Sequence, residues 1–282
     1  MNGLSFECFP PRSDTGRRSM KDTIRRLSRL SPDYVSITFG AGGSDREGTL
    51  AALRDCVDLG VPTVAHLCHA GLARDEVLAL ADQFGDLGVR RIVALRGDGH
   101  DLREDGFAST SAFVAALIDR GFEVAVACYP EVHPLAASPE ADLEVLRGKV
   151  EAGAREAVAQ FFFDNAMFLD FADRARRAGI EVPIVPGLLP IYDIDKAVEL
   201  GRNCGSEVPE WVRRRFARAD DSRTRGRVGR ELVETQAHEL GRAGVDHLHV
   251  YALNRAELSE VAAEAWREGL RERRRAGIRE AA

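Results

Sequence analysis

The sequence predicts a single (β/α)8 barrel of the TIM type with a helical insertion before the last strand. Eight short apolar runs alternate with longer helical patterns along the whole 282-residue chain, and this alternation is typical of a parallel α/β barrel. A doubly wound sheet is the competing fold, but no Gly-x-Gly-x-x-Gly pattern follows the first run. We expect residues 1–282 to form one barrel domain, with residues 271–282 as a disordered basic tail.

The eight apolar runs are the predicted strands. They are bounded by glycine, proline or charged residues, as strands buried on both faces commonly are. Their bounds are Leu4–Phe9, Tyr34–Thr38, Pro62–Cys68, Arg91–Gly97, Glu123–Tyr129, Ala157–Phe163, Val182–Leu189 and Asp246–Tyr251.

The predicted helices lie between these strands, and two of them carry start signals. Ser44 precedes Glu47 by three residues, which is a capping-box pattern. Ser138 followed by Pro139 is a cap residue with a first-turn proline. The predicted helices are Arg17–Leu30, Asp45–Leu59, Arg74–Leu87, Ser111–Arg120, a helix from Ser138, Ala166–Ala178, Ile194–Asn203, the insertion Val208–Gly241, and Arg255–Arg275.

Composition and charge exclude several classes of protein. The net charge of −6 argues against a nucleic-acid-binding protein. The five cysteines are scattered without a Cys-x-x-Cys pair, which is typical of reduced thiols rather than of a disulfide framework. The N-terminus shows no signal peptide, so we expect a cytoplasmic location. No run approaches the roughly 20 apolar residues that span a bilayer, so we expect no membrane association.

Polar side chains lie at or near the carboxyl ends of most of the predicted strands. The carboxyl ends of barrel strands converge on one face, and active sites lie there. These residues therefore predict a mixed polar site at the barrel mouth. They are Glu7, Thr38, His66, Asp98, Tyr129, Gln160, the Pro186-Gly187 corner, Tyr251, Asn254 and Arg255.

Two carboxylates are the main candidates for chemistry. Asp98 directly follows the run Arg91–Gly97, and a charged side chain in that place needs partners if it is buried. The alternative interpretation is that Asp98 caps a helix or stands in a turn. Glu7 is flanked by aromatic residues and prolines. Desolvation there raises the pKa of a carboxyl and suits it to general acid catalysis, whereas a glutamate that points to solvent is the alternative.

A metal site is a second interpretation of the same face. His66 and Cys68 share one side of the third strand, with Asp98 one strand away. No further histidine or carboxylate cluster completes a coordination set, so we expect no metal.

Two other polar residues suggest ligand contacts. Gln160 stands before three phenylalanines, and its amide both donates and accepts, which suits a planar heterocycle. Lys149 closes a helix that also carries Asp142 and Arg147. The cationic side chains there could bind phosphate groups of a ligand that extends past the barrel mouth. The commoner interpretation of such charged residues is a helix face exposed to solvent.

The chain resembles the methylenetetrahydrofolate reductase family, because nine motifs match it in order over nearly the whole chain. The matching segments are Ser5–Arg12, Ser36–Gly43, Ala65–Leu67, Ala94–Asp98, Tyr129–Pro134, Lys149 with Ala152–Ala154, Gln160–Asp164, Pro186–Pro190 and Leu253–Glu257.

This resemblance implies a barrel that binds FAD noncovalently at its mouth and serves one-carbon metabolism and methionine biosynthesis. NADH or NADPH reduces the flavin and leaves, and 5,10-methylenetetrahydrofolate then enters and is reduced to 5-methyltetrahydrofolate in a ping-pong scheme. By resemblance, Glu7 is the general acid that opens the imidazolidine ring, and Asp98 is the charge beside flavin and pterin. Gln160 binds the substrate heterocycle. We also expect a homo-oligomer.

The resemblance also implies which residues contact the flavin and the folate. The matched flavin positions are Thr38, His66, Arg96, Gly97, Asp98, Phe107, Ala108, Tyr129, His133, Asp142 and Lys149. Leu200 and Arg255 match substrate positions. The chain departs from the family at Cys68 and His69, where relatives commonly have Thr-Cys after His-Leu. It also departs at Val145 and Gly148, where relatives often carry polar or basic flavin contacts, and at Leu200, where an aromatic residue can stand.

Three functions remain open from the sequence. A flavin-dependent reductase is the leading one, and the same site can run in reverse in one-carbon catabolism. A metal-dependent barrel hydrolase or lyase is the second. A folate- or flavin-binding module without turnover is the third.

Overall fold

The computed structural model describes residues 3–39, 46–97 and 101–280, with side chains through residue 277. Asp98, the glycine-rich segment 40–43 and the predicted cap Ser44 lie outside the described residues. The strands are β1 Gly3–Cys8, β2 Tyr34–Ile37, β3 Thr63–Cys68, β4 Arg91–Leu95, β5 Glu123–Cys128, β6 Glu156–Ala159, β7 Ile184–Val185, β8 Gly187–Leu188 and β9 His247–Tyr251.

The helices of the described residues cover the outside of the sheet, and none of them is apolar over a length that would cross a membrane. They are α1 Asp14–Ser28, α2 Arg46–Asp58, α3 Arg74–Asp86, α4 Thr110–Asp119, α5 Pro139–Glu151, α6 Asn165–Arg177, α7 Ile194–Cys204, α8 Glu210–Ala217, α9 Ser222–Ala243 and α10 Glu257–Glu280.

The strands form one parallel sheet that confirms the predicted barrel. Its order is β7-β6-β5-β4-β3-β2-β1-β9-β8. The predicted seventh strand is split at Pro186, because proline has no N–H for a strand ladder. The piece before it, β7, pairs with β6, and the piece after it, β8, pairs with β9. The single residue between the two pieces therefore joins the ends of the sheet.

Most other predicted elements differ from the structure by one to three residues at their ends, and three differ by more. The predicted helical insertion Val208–Gly241 consists of two helices, α8 and α9, and Asp221 caps the second. The sixth strand ends at Ala159 rather than Phe163. The predicted basic tail is helical as far as Glu280, and Arg273 donates to the carbonyl oxygens of Arg242 and Ala243 at 3.2 and 2.5 Å.

The strands present different chemistry to the two sides of the sheet. Leu4, Phe6 and Cys8 of β1 belong to the same buried apolar cluster as Met20 and Ile24 of α1, so they face the helices. Side chains alternate along a strand, so Ser5 and Glu7 face the barrel interior. The interior is therefore polar along β1, and this is where the site residues lie.

Candidate active site

The described site residues converge at the carboxyl ends of the strands, as the sequence predicts. Glu7 lies near the end of β1, and Thr38 directly follows β2. His66 lies on β3, Tyr129 directly follows β5 and Gln160 directly follows β6. Because all strands of the sheet are parallel, these positions share one face of the barrel.

Glu7 is a buried carboxyl between two histidines. Its Oε2 lies 3.5 Å from His66 Nε2 and 3.6 Å from His249 Nε2, and the residue is 9% exposed. Burial raises the pKa of Glu7, and the charge interaction with His66 only partly opposes that rise. The arrangement favours a protonated carboxyl, which is the form that a general acid needs.

The two histidines beside Glu7 are held in the neutral form. Burial lowers the pKa of His249 to about 4. Burial also lowers the pKa of His66, although Glu7 opposes this. Among the described residues, His249 Nε2 has no hydrogen-bond partner, and Glu7 is the carboxyl in front of it.

A line of polar groups continues below Glu7 through the barrel interior. His249 Nδ1 lies 2.8 Å from Ser5 Oγ, and Ser5 Oγ lies 3.2 Å from His247 Nε2. His247 Nδ1 lies 3.6 Å from Glu156 Oε2. This line was not predicted from the sequence, although the alternation of His247, His249 and Tyr251 on one strand is a signal of it.

Two residues at the end of β9 fix the rim rather than face an open site. The Tyr251 hydroxyl donates to the Ala159 carbonyl oxygen at 3.1 Å. The Asn254 side chain accepts from the Phe9 N–H at 3.0 Å and donates to the Phe9 carbonyl oxygen at 2.9 Å. These bonds hold the end of β9 to β1 and β6, the strands that carry Glu7 and lead to Gln160.

The rim at β2 and β4 has features of a ligand site. Thr38 is 6% exposed and its Oγ1 has no hydrogen-bond partner among the described residues. Gly97 has φ of +93°, and a Cβ on it would lie 2.9 Å from the Cβ of Cys68, so this position requires glycine. Arg96 is half-buried and donates to the Gly97 carbonyl oxygen at 3.0 Å.

Phe107 and Ala108 lie at the edge of this region in different environments. Phe107 is 2% exposed, packs against the Phe113 ring at 5.2 Å between centroids, and has the Arg74 guanidinium 4.7 Å from its ring centre. His69 Nε2 pairs with Thr110 Oγ1 at 3.1 Å. Ala108 is exposed.

The loop after β5 is tied to helix α5. The rings of Tyr129 and His133 meet edge to face at 4.5 Å between centroids, and Asp142 accepts from the His133 N–H at 2.9 Å. Lys149 is buried and donates to the Ala127 carbonyl oxygen at 3.1 Å. Burial lowers the pKa of Lys149. In this structure Asp142 and Lys149 therefore bind the backbone around β5.

The predicted substrate residues and the departures from the family lie farther out. Leu200 packs, half-buried, in a second apolar cluster with α7 and α8. The Arg255 guanidinium stacks 3.7 Å above the Tyr192 ring. Val145 is 52% exposed on α5, and a Cβ on Gly148 would lie 3.3 Å from Ser111 Oγ.

The second interpretation, a metal site, finds no support in the described part of the chain. No group of three or more histidine, cysteine, aspartate or glutamate side chains there is arranged to hold a metal ion. Asp98, which that interpretation also used, is outside the described residues.

Comparisons with known sequences point to one family. The methylenetetrahydrofolate reductase family profile matches residues 2–265. The 5,10-methylenetetrahydrofolate reductase of Salmonella typhimurium is 39% identical over 91% of this chain and 88% of its own length, and that of Escherichia coli is 38% identical with the same coverage. Methylenetetrahydrofolate reductase (NADH) 1 of Arabidopsis thaliana is 31% identical over 89% of this chain and 46% of its own length.

A comparison with solved structures supports the fold. An uncharacterized protein from Clostridium thermocellum, which binds two copies of 5-methyl-5,6,7,8-tetrahydrofolic acid, superposes with a TM-score of 0.67 at 15% identity. The superposition covers 95% of this chain and 96% of that chain.

Proposed function

The chain belongs to the methylenetetrahydrofolate reductase family, and we propose that it reduces 5,10-methylenetetrahydrofolate to 5-methyltetrahydrofolate with bound FAD and NADH or NADPH as donor. The observation that carries the proposal is the buried Glu7 between two neutral histidines. A carboxyl with a raised pKa at a barrel mouth is suited to protonate a substrate nitrogen near neutral pH.

Glu7 acts on the folate substrate. Its proton goes to a nitrogen of the imidazolidine ring, which lets that ring open to the reactive 5-iminium cation. Asp98 supplies the negative charge that favours this cation, as its position in the family motif predicts. Gln160 at the end of β6 hydrogen-bonds the substrate heterocycle, and Leu200 and Arg255 contact the rest of the folate.

The β2 and β4 rim fits a bound flavin. The buried Thr38 hydroxyl has no hydrogen-bond partner among the described residues and can therefore bond a ligand placed at this rim. The residues that would hold FAD are Thr38, His66, Arg96, Gly97, Asp98, Phe107, Ala108, Tyr129, His133, Asp142 and Lys149. FAD supplies the hydride that reduces the iminium carbon, and the protein supplies position and charge.

The nicotinamide donor and the folate use the same mouth in turn, which gives ping-pong kinetics. The Arabidopsis relative is named for NADH, and this favours NADH for the present chain. The family assignment favours a reductase over the metal-dependent hydrolase and over a binding module without turnover. The reverse reaction, oxidation of 5-methyltetrahydrofolate, uses the same residues.

An absorbance spectrum of the purified protein tests the proposal. The protein, with FAD added if it is colourless, should show flavin bands that NADH or NADPH bleaches without oxygen and that 5,10-methylenetetrahydrofolate restores. A protein that takes up no FAD would refute the flavin assignment. Bleaching that the folate does not reverse would refute the reductase assignment.

A further inference from the structure

A cavity on the opposite face of the barrel meets the polar line that begins at Glu7. The cavity has a volume of about 600 Å³ and lies at the amino ends of the strands. Its lining includes Tyr34, Glu156 and His247, which are the first residues of β2, β6 and β9. The side chains of His247 and Glu156 are 16% and 12% exposed.

The line from Glu7 to this cavity is nearly continuous. The two histidines are joined through Ser5 Oγ at 2.8 and 3.2 Å. The ends are looser, because His249 lies 3.6 Å from Glu7 and His247 lies 3.6 Å from Glu156. Side-chain shifts of under about 1 Å would close both gaps, and catalytic hydrogen bonds are often long before ligands bind.

The lower end of the line is built with specific contacts. The Tyr34 hydroxyl donates to Glu156 Oε1 at 2.8 Å and so orients the carboxyl. A Cβ on Gly3 would lie 2.6 Å from Cγ of His247, so glycine leaves the space in which the imidazole stands. Barrel interiors are ordinarily filled by branched apolar side chains. In this barrel a line of polar side chains replaces that apolar packing, and its presence calls for a functional explanation.

We propose that Glu156, His247, Ser5 and His249 form a proton path that restores the proton of Glu7 from water in the opposite-face cavity. This inference rests on the proposed function, in which Glu7 loses a proton at each turnover. In the proposed ping-pong scheme the folate and the nicotinamide donor occupy the mouth above Glu7 in turn, and a route from below allows reprotonation while either of them is bound.

The path carries a proton from the cavity to Glu7 in five linked transfers. Glu7, left as a carboxylate, takes the hydrogen of His249 Nε2, and His249 Nδ1 takes the hydroxyl hydrogen of Ser5. Ser5 Oγ takes the hydrogen of His247 Nε2, and His247 Nδ1 takes the proton of the Glu156 carboxyl. Glu156 is then protonated again by a hydronium ion in the cavity, which leaves a water molecule. The net result is the transfer of one proton from hydronium to Glu7, and ring flips with rotation of the Ser5 hydroxyl reset the line.

The first test separates the first turnover from later ones. Glu156→Gln keeps the size of the side chain but cannot pass a proton. With pre-reduced enzyme, the first folate per site should react at the wild-type rate, because Glu7 already carries its proton, and later turnovers should slow at least tenfold. Glu123→Gln is the matched control, since Glu123 begins β5 with its side chain 63% exposed against Arg91.

Each outcome of this test is distinct. Later turnovers at the wild-type rate in Glu156→Gln would overturn the proton path and leave the proposed function intact. A wild-type enzyme that reduces no folate would overturn the proposed function and the path together. Equal slowing in Glu123→Gln would also overturn the path.

Chemical rescue tests the direction of proton supply. In Glu156→Ala, added formate should enter the enlarged cavity and restore later turnovers. In Ser5→Ala, which breaks the line above the cavity, formate should restore nothing. Rescue of Ser5→Ala would show that formate acts from the mouth and would overturn the path.

A readout without cofactor or substrate tests the connection itself. In ¹⁵N-histidine-labelled protein, Glu156→Gln should change the ring nitrogen shifts of His249 as well as those of His247, because the two rings share Ser5. A change confined to His247 would show that the line is not connected, and would overturn the proposal.

Discussion

The two faces of strand β1 divide stability from chemistry. Leu4 and Phe6 face the helices and are 2% and 0% exposed in the main apolar cluster. Ser5 and Glu7, their neighbours in sequence, face the interior and contact histidines of β3 and β9. On the helix side of the sheet, burial of apolar side chains stabilises the folded state. In the barrel interior, burial of polar side chains costs folding free energy and shifts their pKa values.

Substitutions on the two faces of β1 should therefore affect different properties of the protein. A change on the helix side should lower the free energy of unfolding and leave the chemistry of surviving folded molecules alone. A conservative change on the interior side should do the reverse. The predictions below test that division, from the largest expected effect to the smallest.

Glu7→Gln should slow folate reduction by about 10²- to 10⁴-fold, which is the usual contribution of general acid catalysis. The amide has the shape of the neutral carboxyl but has no acidic proton. Reduction of bound flavin by NADH should stay within a few-fold of wild type, because that step needs no acid. Stopped-flow measurement of the two half-reactions checks this.

Two further results would bear on the Glu7 prediction. Glu7→Asp should recover part of the folate rate, since it restores an acid at a longer distance from the substrate. Equal loss of both half-reactions in Glu7→Gln would contradict a role as general acid and would indicate a damaged site.

Leu4→Ala should lower the free energy of unfolding by about 2–5 kcal/mol, the range for buried leucines in close-packed cores. Leu135→Ala is the matched control, because Leu135 is 69% exposed, and it should cost under about 0.5 kcal/mol. Urea denaturation measures both. A large loss of specific activity in folded Leu4→Ala would contradict the division between the two faces.

The sequence predicted the outer face of the barrel better than the inner one. The apolar runs reveal strands through local periodicity, and the polar residues at their carboxyl ends mark the barrel mouth, so the positions of Glu7 and Gln160 at that mouth were predictable. Pro186 is evident in the sequence, but the split of the seventh strand into β7 and β8 depends on their pairing with different neighbours, β6 and β9.

The polar line inside the barrel was not predictable in this way. Ser5 and His249 are 244 residues apart in the chain, and their contact depends on the register that places Ser5 opposite His249. Glu156 and Tyr34 begin strands that do not pair with each other, so their hydrogen bond follows only from barrel closure. Long-range register therefore limited the prediction of the site more than residue chemistry did.

The smallest predicted effect concerns pH and the interior histidine. Burial lowers the pKa of His249 from 6.5 to about 4, so between these values the unfolded chain binds a proton there that the folded chain does not. This group therefore leaves the free energy of unfolding undiminished above pH 6.5 and lowers it as the pH falls toward 4. At pH 4.5 the loss should be on the order of 2–3 kcal/mol. The charged or titratable groups around the ring are Glu7, Tyr34, His66, Glu156, His247 and Tyr251.

His249→Asn isolates this effect. Glu7 acts in the opposite direction, because its raised pKa favours the folded state as the pH falls, but Glu7 is present in both proteins. The free energy of unfolding of His249→Asn should therefore change less between pH 7 and pH 4.5 than that of wild type. Ser5→Ala is the control, since it removes a hydrogen bond of His249 and keeps the titrating ring. Equal pH dependence in wild type and His249→Asn would mean that the interior does not hold this histidine neutral, and the division between the two faces of the barrel would lose its electrostatic basis.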